Sequence, residues 1–241
     1  MKQENYIRGM IMIILSAFFF ACMNVSVRLA GDLSSVQKSF FRNLVAAFFA
    51  AIILIKNHTA PKVEKTQWGS LFLRCAFGTL GILCNFYAID HLLVADASIL
   101  NKLSPFFAII FSFLLLKEKI KPAQAMCVIL AFVGCLFVVK PGFENAHLIP
   151  ALIGVCGGLG AGIAYTMVRK MGTHGVKGPV IVFYFSFFSC LSVVPWMVFH
   201  FTPMSMKQLV TLLMAGLFAA GGQFTITAAY TYAPARKISI F

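Results

Sequence analysis

The residues able to do chemistry in this chain are few, and most sit inside long apolar runs. Asn24 and Arg28 lie four apart and in line with Ala17 and Ala21. Asn85 follows Gly78 and Gly81 at helical spacing, and Gln223, Thr227 and Tyr230 continue a face begun by Gly216 and Ala220. Positions three, four and seven apart share one side of a helix, so each set forms a stripe. Small residues lie toward one end of it and hydrogen-bonding groups toward the other. Asn101 and Tyr165 add two more polar groups. Such groups are costly in apolar surroundings unless they meet a partner or a water-filled cavity. The chemistry they offer is hydrogen bonding to a small polar molecule. For any one of them, a bond to neighbouring backbone is the plainer alternative.

Other chemistries lack their residues. Asp90 and Asp96 fall at segment ends, so no paired carboxylates stand at matching depth for general acid–base work. The five histidines lie at segment ends or in loops, and no pair among the seven cysteines has C-x-x-C spacing. Neither a metal site nor a disulfide framework is indicated. Gly154, Gly158 and Gly162 make two overlapping G-x-x-x-G steps, read as close helix packing. They are not a nucleotide loop, because no strand precedes them and no Lys-Ser/Thr follows. No cofactor, metal or catalytic residue is expected.

The elements that must hold these residues are membrane spans. A hydrocarbon core about 30 Å thick takes roughly 20 helical residues to cross. Eight segments qualify: 9–29, 35–55, 69–89, 96–116, 122–139, 148–168, 178–199 and 208–230. A ninth begins near Ala235 and is cut short at Phe241. Apolar residues make up 60% of the chain and charged residues 11%, which leaves no room for a large soluble domain. The runs are continuous rather than alternating, so helices are expected and not a β-barrel. The first run is too long for a cleaved signal peptide, and no A-x-A-like site follows it.

The net charge of +13 is scattered over short connectors rather than gathered on one face. That argues against nucleic acid and for the positive-inside rule. The N-terminus and the connectors after spans two, four, six and eight hold 14 Lys/Arg, Arg74 among them. The opposite side holds six: Arg28, Lys38, Arg42, Lys102, Lys140 and Lys207. A multi-pass cell-membrane protein with a cytoplasmic N-terminus is expected. Lys38 and Arg42, one turn apart near the end of span two, are expected to snorkel to the interface. A salt bridge from Arg42 to Asp96 or Asp90 is the next option, and a basic vestibule for an anionic substrate the third. The Lys117–Lys121 region reads as a solvated loop in which Glu118 braces the start of span five.

Sliding the chain against itself by 141 residues brings spans one to four onto spans six to nine without a gap. Val27-Arg28 falls on Val168-Arg169, Gly31 on Gly172, Gln67 on Gln208, Gly81 on Gly222 and Ser98-Ile99 on Ser239-Ile240. Five spans per copy is an odd number, so the second copy enters the membrane inverted, as is common in secondary transporters. The expected fold is all-α: a polytopic membrane helix bundle of two inverted five-helix repeats, residues 1–141 and 142–241. Counterparts of residues 101–141 are missing, so the second repeat is expected to be incomplete, with eight full spans plus the start of a ninth. Asn24, Asn85 and Asn101 would then lie in the outer half of the membrane. Tyr165, Thr227 and Tyr230 would lie in the inner half, and Gln223 nearest the midplane.

Phe86-Tyr87-Ala88-Ile89, then Ala95-Asp96-Ala97-Ser98-Ile99-Leu100, then Leu103-Ser104-Pro105 resemble the third-to-fourth span region of EamA-type transporters. Leu115 with Lys117-Glu118, followed by Gln124 and Gly134, is similar to the region after it. Phe41-Arg42 and Ala229-Tyr230 through Ala233-Pro234-Ala235 look like that family too. The resemblance implies membership of the drug/metabolite transporter superfamily, with ten spans, two EamA repeats, and both termini cytoplasmic. It implies carriage of a small metabolite, in many members outward. The preferred reading is secondary transport of a small polar or amphipathic metabolite by alternating access, with export as the direction. The pathway would run past Asn24, Asn85, Asn101, Tyr165, Gln223, Thr227 and Tyr230. The expected partners are that metabolite and the lipid bilayer, with no nucleic acid; a homodimer is left open. A membrane-embedded enzyme and a non-transporting truncated scaffold are the alternatives.

Overall fold

Nine α-helices and one short 3-10 turn, and no strand, occur among the residues described by the computed structural model, which are 3–118, 122–139 and 148–233. In chain order they are α1 (Gln3–Leu29), α2 (Ser35–Lys56), α3 (Trp68–His91), α4 (Val94–Asn101), α5 (Ser104–Leu116), α6 (Pro122–Val139), α7 (Leu148–Thr173), α8 (Gly178–His200) and α9 (Met206–Tyr232). The 3-10 turn, Lys65–Gln67, leads into α3. Seven stretches are long and apolar enough to cross a membrane, with α4 and α5 counted together, and α6 adds a shorter apolar helix. The expected ninth segment, from Ala235, lies outside the described residues.

Local chemistry sets the helix starts. The Ser34 hydroxyl accepts from the Gln37 amide and caps α2. Ser205 and Gln208 form a reciprocal capping box at the start of α9. Each satisfies amides that have no partner within the helix. Gly31 follows α1 with φ +72°, the left-handed geometry that ends a helix at low cost only with glycine.

The fourth span is not the single helix the sequence reading expected over 96–116. It breaks between α4 and α5, at Lys102 and Leu103. Pro105 is the physical reason. It has no amide to donate to the carbonyl of Asn101, four residues back, and its ring crowds that turn. The broken element therefore places Asn101 at a helix end, deep in the bundle.

The exposed surface is rich in large apolar side chains, and polar side chains are buried beside an apolar core. Phe18, Phe48, Phe72, Phe137 and Phe199 are exposed, while Gln37, Lys38, Arg42, Asn43, Arg74, Asn85 and Gln223 are buried. Lipid, not water, is the surrounding that makes this distribution favourable. Helix α1 packs along α9, α3 along α7, and α2 along α8.

The glycines of α7 serve two neighbours. A Cβ on Gly154 or Gly158 would meet Leu100 of α4, and one on Gly162 would meet Phe107 of α5. The expected close packing therefore seats the broken helix. A second row, Gly157 and Gly160, lets the α7 backbone touch the α3 backbone at Gly81 and Phe77.

One charge assignment needs correcting. Arg74 is not a loop residue; it is buried, six residues inside α3. The Glu118 carboxylate lies 3.6 Å from Arg169 Nε on α7; residues 119–121, between it and the next helix, lie outside the described residues.

Candidate functional site

At the centre of the bundle α1, α2, α3, α7, α8 and α9, with the end of α4, enclose a cavity of about 50 Å³. That is room for roughly three to five waters. Its polar lining is Arg42, Arg74, Asn85, Asn101, Tyr165 and Gln223, and Phe20, Ile82 and Phe185 stand among them.

Arg42 enters from α2. It is 2% exposed and does not snorkel. Its Nη1 donates to Asn43 Oδ1 at 2.5 Å, and its Nη2 to Gln223 Oε1 at 3.3 Å. Asn43 is itself fixed by bonds to the carbonyl and hydroxyl of Ser39. Gln223 in turn donates to Thr227 Oγ1 at 3.5 Å. Helical spacing explains both supports, since Ser39 and Asn43 share a face of α2, and Gln223 and Thr227 share a face of α9.

Arg74 enters from α3 and is also 2% exposed. Its guanidinium occupies the space where a Cβ on Gly78 would stand, one turn further along the same helix. Its Cζ lies 3.9 Å from the centroid of the Phe185 ring, and Arg42 Cζ lies 5.8 Å from the same centroid. The two cations thus share one phenyl ring, a cation–π arrangement that gains strength out of water. Arg74 Nε and Nη2, Arg42 Nε, and Asn85 Oδ1 are buried without a hydrogen-bond partner among the described residues.

The salt-bridge expectation fell on the wrong base. Lys38, 1% exposed, is the residue that pairs with Asp90, at 2.5 Å. Among the described residues Arg42 makes no ion pair, with Asp96 or with any other acid. The Lys38–Asp90 pair borders a wider vestibule of about 710 Å³ lined by Arg28, Asp32, Ser35, Tyr87, Asp90 and Thr202. Beside it, Arg28 donates to the carbonyls of Ile89 and Asp90, at 2.8 and 2.9 Å. At the other end of the bundle Arg169 donates to the carbonyl of Thr231, at 3.4 Å.

Of the seven pathway residues expected from sequence, Asn85, Asn101, Tyr165 and Gln223 line the cavity together. Thr227 and Tyr230 stand one layer behind, where Thr227 holds Gln223 and Tyr230 stacks on Tyr165 with centroids 5.1 Å apart. Asn24 is buried on α1 and donates to Ser98 Oγ at 3.3 Å, away from the lining. Its expected stripe partners Ala17 and Ala21 are exposed. The sequence reading missed Arg74 and Phe185. Arg74 had a usable signal: it falls inside the apolar segment 69–89, four residues before a glycine on the same face. Phe185 had none among 26 phenylalanines.

The chain resembles known proteins over nearly its whole length. The pseudopaline exporter CntI of Pseudomonas aeruginosa is 30% identical, over 96% of this chain and 81% of its own. A riboflavin transporter of Brucella anthropi is 25% identical, over 92% of this chain and 80% of its own. A solved crystal structure matches with a TM-score of 0.74 at 13% identity, covering 96% of this chain and 82% of its own, and so shares the fold. Residues 7–140 match the EamA-like transporter family. With that match and a relative covered across most of its length, this multi-pass membrane protein belongs to the EamA-like transporter family.

Proposed function

We propose that this chain is a secondary transporter that carries a small polar metabolite outward, with the central cavity as its binding site. One observation carries the proposal: six polar side chains converge on one cavity inside an apolar bundle, in a chain of this family. A cavity of about 50 Å³ is too small for a metabolite. Loading therefore requires helices to part at one end, which is the behaviour alternating access describes.

Inverted halves would supply that motion, and the packing supports them. An offset of 141 carries α1, α2 and α3 onto α7, α8 and α9. The same offset exchanges the α1–α9 contact with the α3–α7 contact and returns α2–α8 to itself. It also carries the Arg28 bond to the Asp90 carbonyl onto the Arg169 bond to the Thr231 carbonyl. Each end of the bundle is then tied by an equivalent contact, one of which must open at a time. The charge bias of the connectors supports a cytoplasmic N-terminus, with the Arg28 end outside.

The test is transport in cells and in proteoliposomes. Gln223→Ala, Asn85→Ala and Tyr165→Phe each remove one hydrogen-bonding group from the lining. A group that meets substrate is worth on the order of 1–3 kcal/mol, so each change should weaken transport roughly 5- to 150-fold at unchanged protein level. Normal rates in all three variants would remove the cavity from the pathway.

A further inference from the structure

The two arginines of the cavity do not behave like structural cations. A buried charge is normally neutralised by a partner, because leaving it unpaired costs several kcal/mol. Here two guanidiniums share one ring, and the ion pairs among the described residues, Lys38–Asp90 and Arg169–Glu118, involve neither. Three of their N–H-bearing nitrogens, Arg42 Nε and Arg74 Nε and Nη2, are buried without an acceptor among the described residues.

The direction of Arg74 is the second clue. It sits six residues from the start of α3, about 9 Å from that end of the helix. Helical side chains lean toward the N-terminus of their helix, which here is the nearer membrane face. A snorkelling arginine would use that lean to reach water. Arg74 does the opposite. Its guanidinium runs one turn the other way, over Gly78 and onto Phe185, toward the middle of the bundle. The missing side chain at Gly78 is what makes the room.

We infer that the cavity binds a small organic anion whose carboxylate or phosphate group is held by Arg42 and Arg74, with the Phe185 ring behind them. This inference rests on the reading of the cavity as the substrate site. A planar guanidinium offers parallel donors that match either oxyanion, and a site holding two of them favours one such group bridging both or two groups on one molecule. Phe185 lies against both guanidiniums, Arg74 Nε and Nη2 and Arg42 Nε are left to meet the anion, and Arg42's two Nη atoms would exchange Asn43 and Gln223 for it. Asn85 Oδ1, unpartnered in the same lining, accepts a donor from the rest of the molecule. Bound substrate thus supplies the negative charge that the protein leaves out.

The test uses the full chain purified in detergent and titrated with succinate, inorganic phosphate, or the neutral succinamide, with the thermal unfolding midpoint as the readout. Succinate, phosphate or both should raise the midpoint saturably, and succinamide should not; which of the two anions acts identifies the group recognised. Arg42→Gln and Arg74→Gln should weaken the anion effect about 10- to 100-fold. Arg74→Gln should also unfold at or above the wild-type midpoint without ligand, because it removes an unpaired buried charge. A purely structural arginine would give a lower midpoint and unchanged anion binding. Arg74→Lys keeps the charge but not the fork, and serves where the glutamine variant does not fold; it too should bind the anion more weakly. Silence with both anions, an equal response to succinamide, or wild-type anion affinity in the variants would overturn the inference. Flux in proteoliposomes is read separately. Arginine-dependent anion binding without flux would sink the transport reading and leave this site standing, and flux confined to uncharged compounds would do the reverse.

Discussion

Helices α3 and α7 meet backbone to backbone, whereas α1 and α9, 141 residues away in register, meet through aromatic rings. On the first pair, a methyl at Gly160 would stand 2.8 Å from the carbonyl of Phe77, and one at Gly81 would stand 3.1 Å from the amide of Ala161. On the second pair, a methyl at Gly221 would meet the Phe19 ring at 3.0 Å, and one at Gly222 the Phe20 ring at 2.8 Å. A carbonyl is fixed by its own helix. A ring can swing about its side-chain bonds. The α3–α7 pair is therefore the stiffer one, and it carries Arg74, Asn85 and Tyr165. The α1–α9 pair carries Phe20, which lines the same cavity and can move out of it. Three of the cavity's polar groups thus stand on the stiffer pair, Gln223 stands on the pair that can yield, and we propose that opening occurs at the latter.

The largest expected effect falls on the rigid pair. Gly160→Ala forces a methyl against a backbone oxygen that has nowhere to go. It should destabilise the folded protein by about 1–3 kcal/mol, the range for overpacking, even though alanine favours helix by up to about 1 kcal/mol. Unfolding in detergent reads this directly. Wild-type stability would show that the two backbones are not in tight contact.

Gly222→Ala should have the smaller effect on stability, under about 1 kcal/mol, because Phe20 can yield. The ring it displaces borders the cavity, so transport should slow while the folded amount stays the same. A variant as unstable as Gly160→Ala would erase the distinction between the pairs.

Parts of this arrangement were legible in the chain itself. The stripe Gly216, Ala220, Gln223, Thr227 and Tyr230 is buried along its whole length, because glycine and hydrogen-bonding groups at helical spacing have little to gain from lipid. The stripe on α1 was only partly so. Alanine is as content against lipid as against a helix, and Ala17 and Ala21 face outward while Asn24 is buried. The helix break was missed, although Pro105 and the amide it lacks carried its signal. The arginines were misplaced, because a count of loop charges treats each basic residue as solvated and overrode the position of Arg74 inside an apolar segment. Arg42 and Arg74 were assigned to the two surfaces by that count, while both lie within predicted spans. Only tertiary packing shows that the two end on one ring, since Arg42, Arg74 and Phe185 are far apart in sequence and on three helices.

Alternating exposure of the central cavity is the claim on which the rest depends, and one accessibility measurement reaches it. In a cysteine-free background, Ile82→Cys places a thiol in the cavity lining, Lys62→Cys one in the α2–α3 connector, and Asp32→Cys one in the vestibule at the Arg28 end. An impermeant thiol reagent is applied to intact cells and to inverted vesicles. The account predicts that position 82 reacts from both sides, position 62 only from the cytoplasm, and position 32 only from outside. Reaction of position 82 from one side alone, with transport intact, would contradict it.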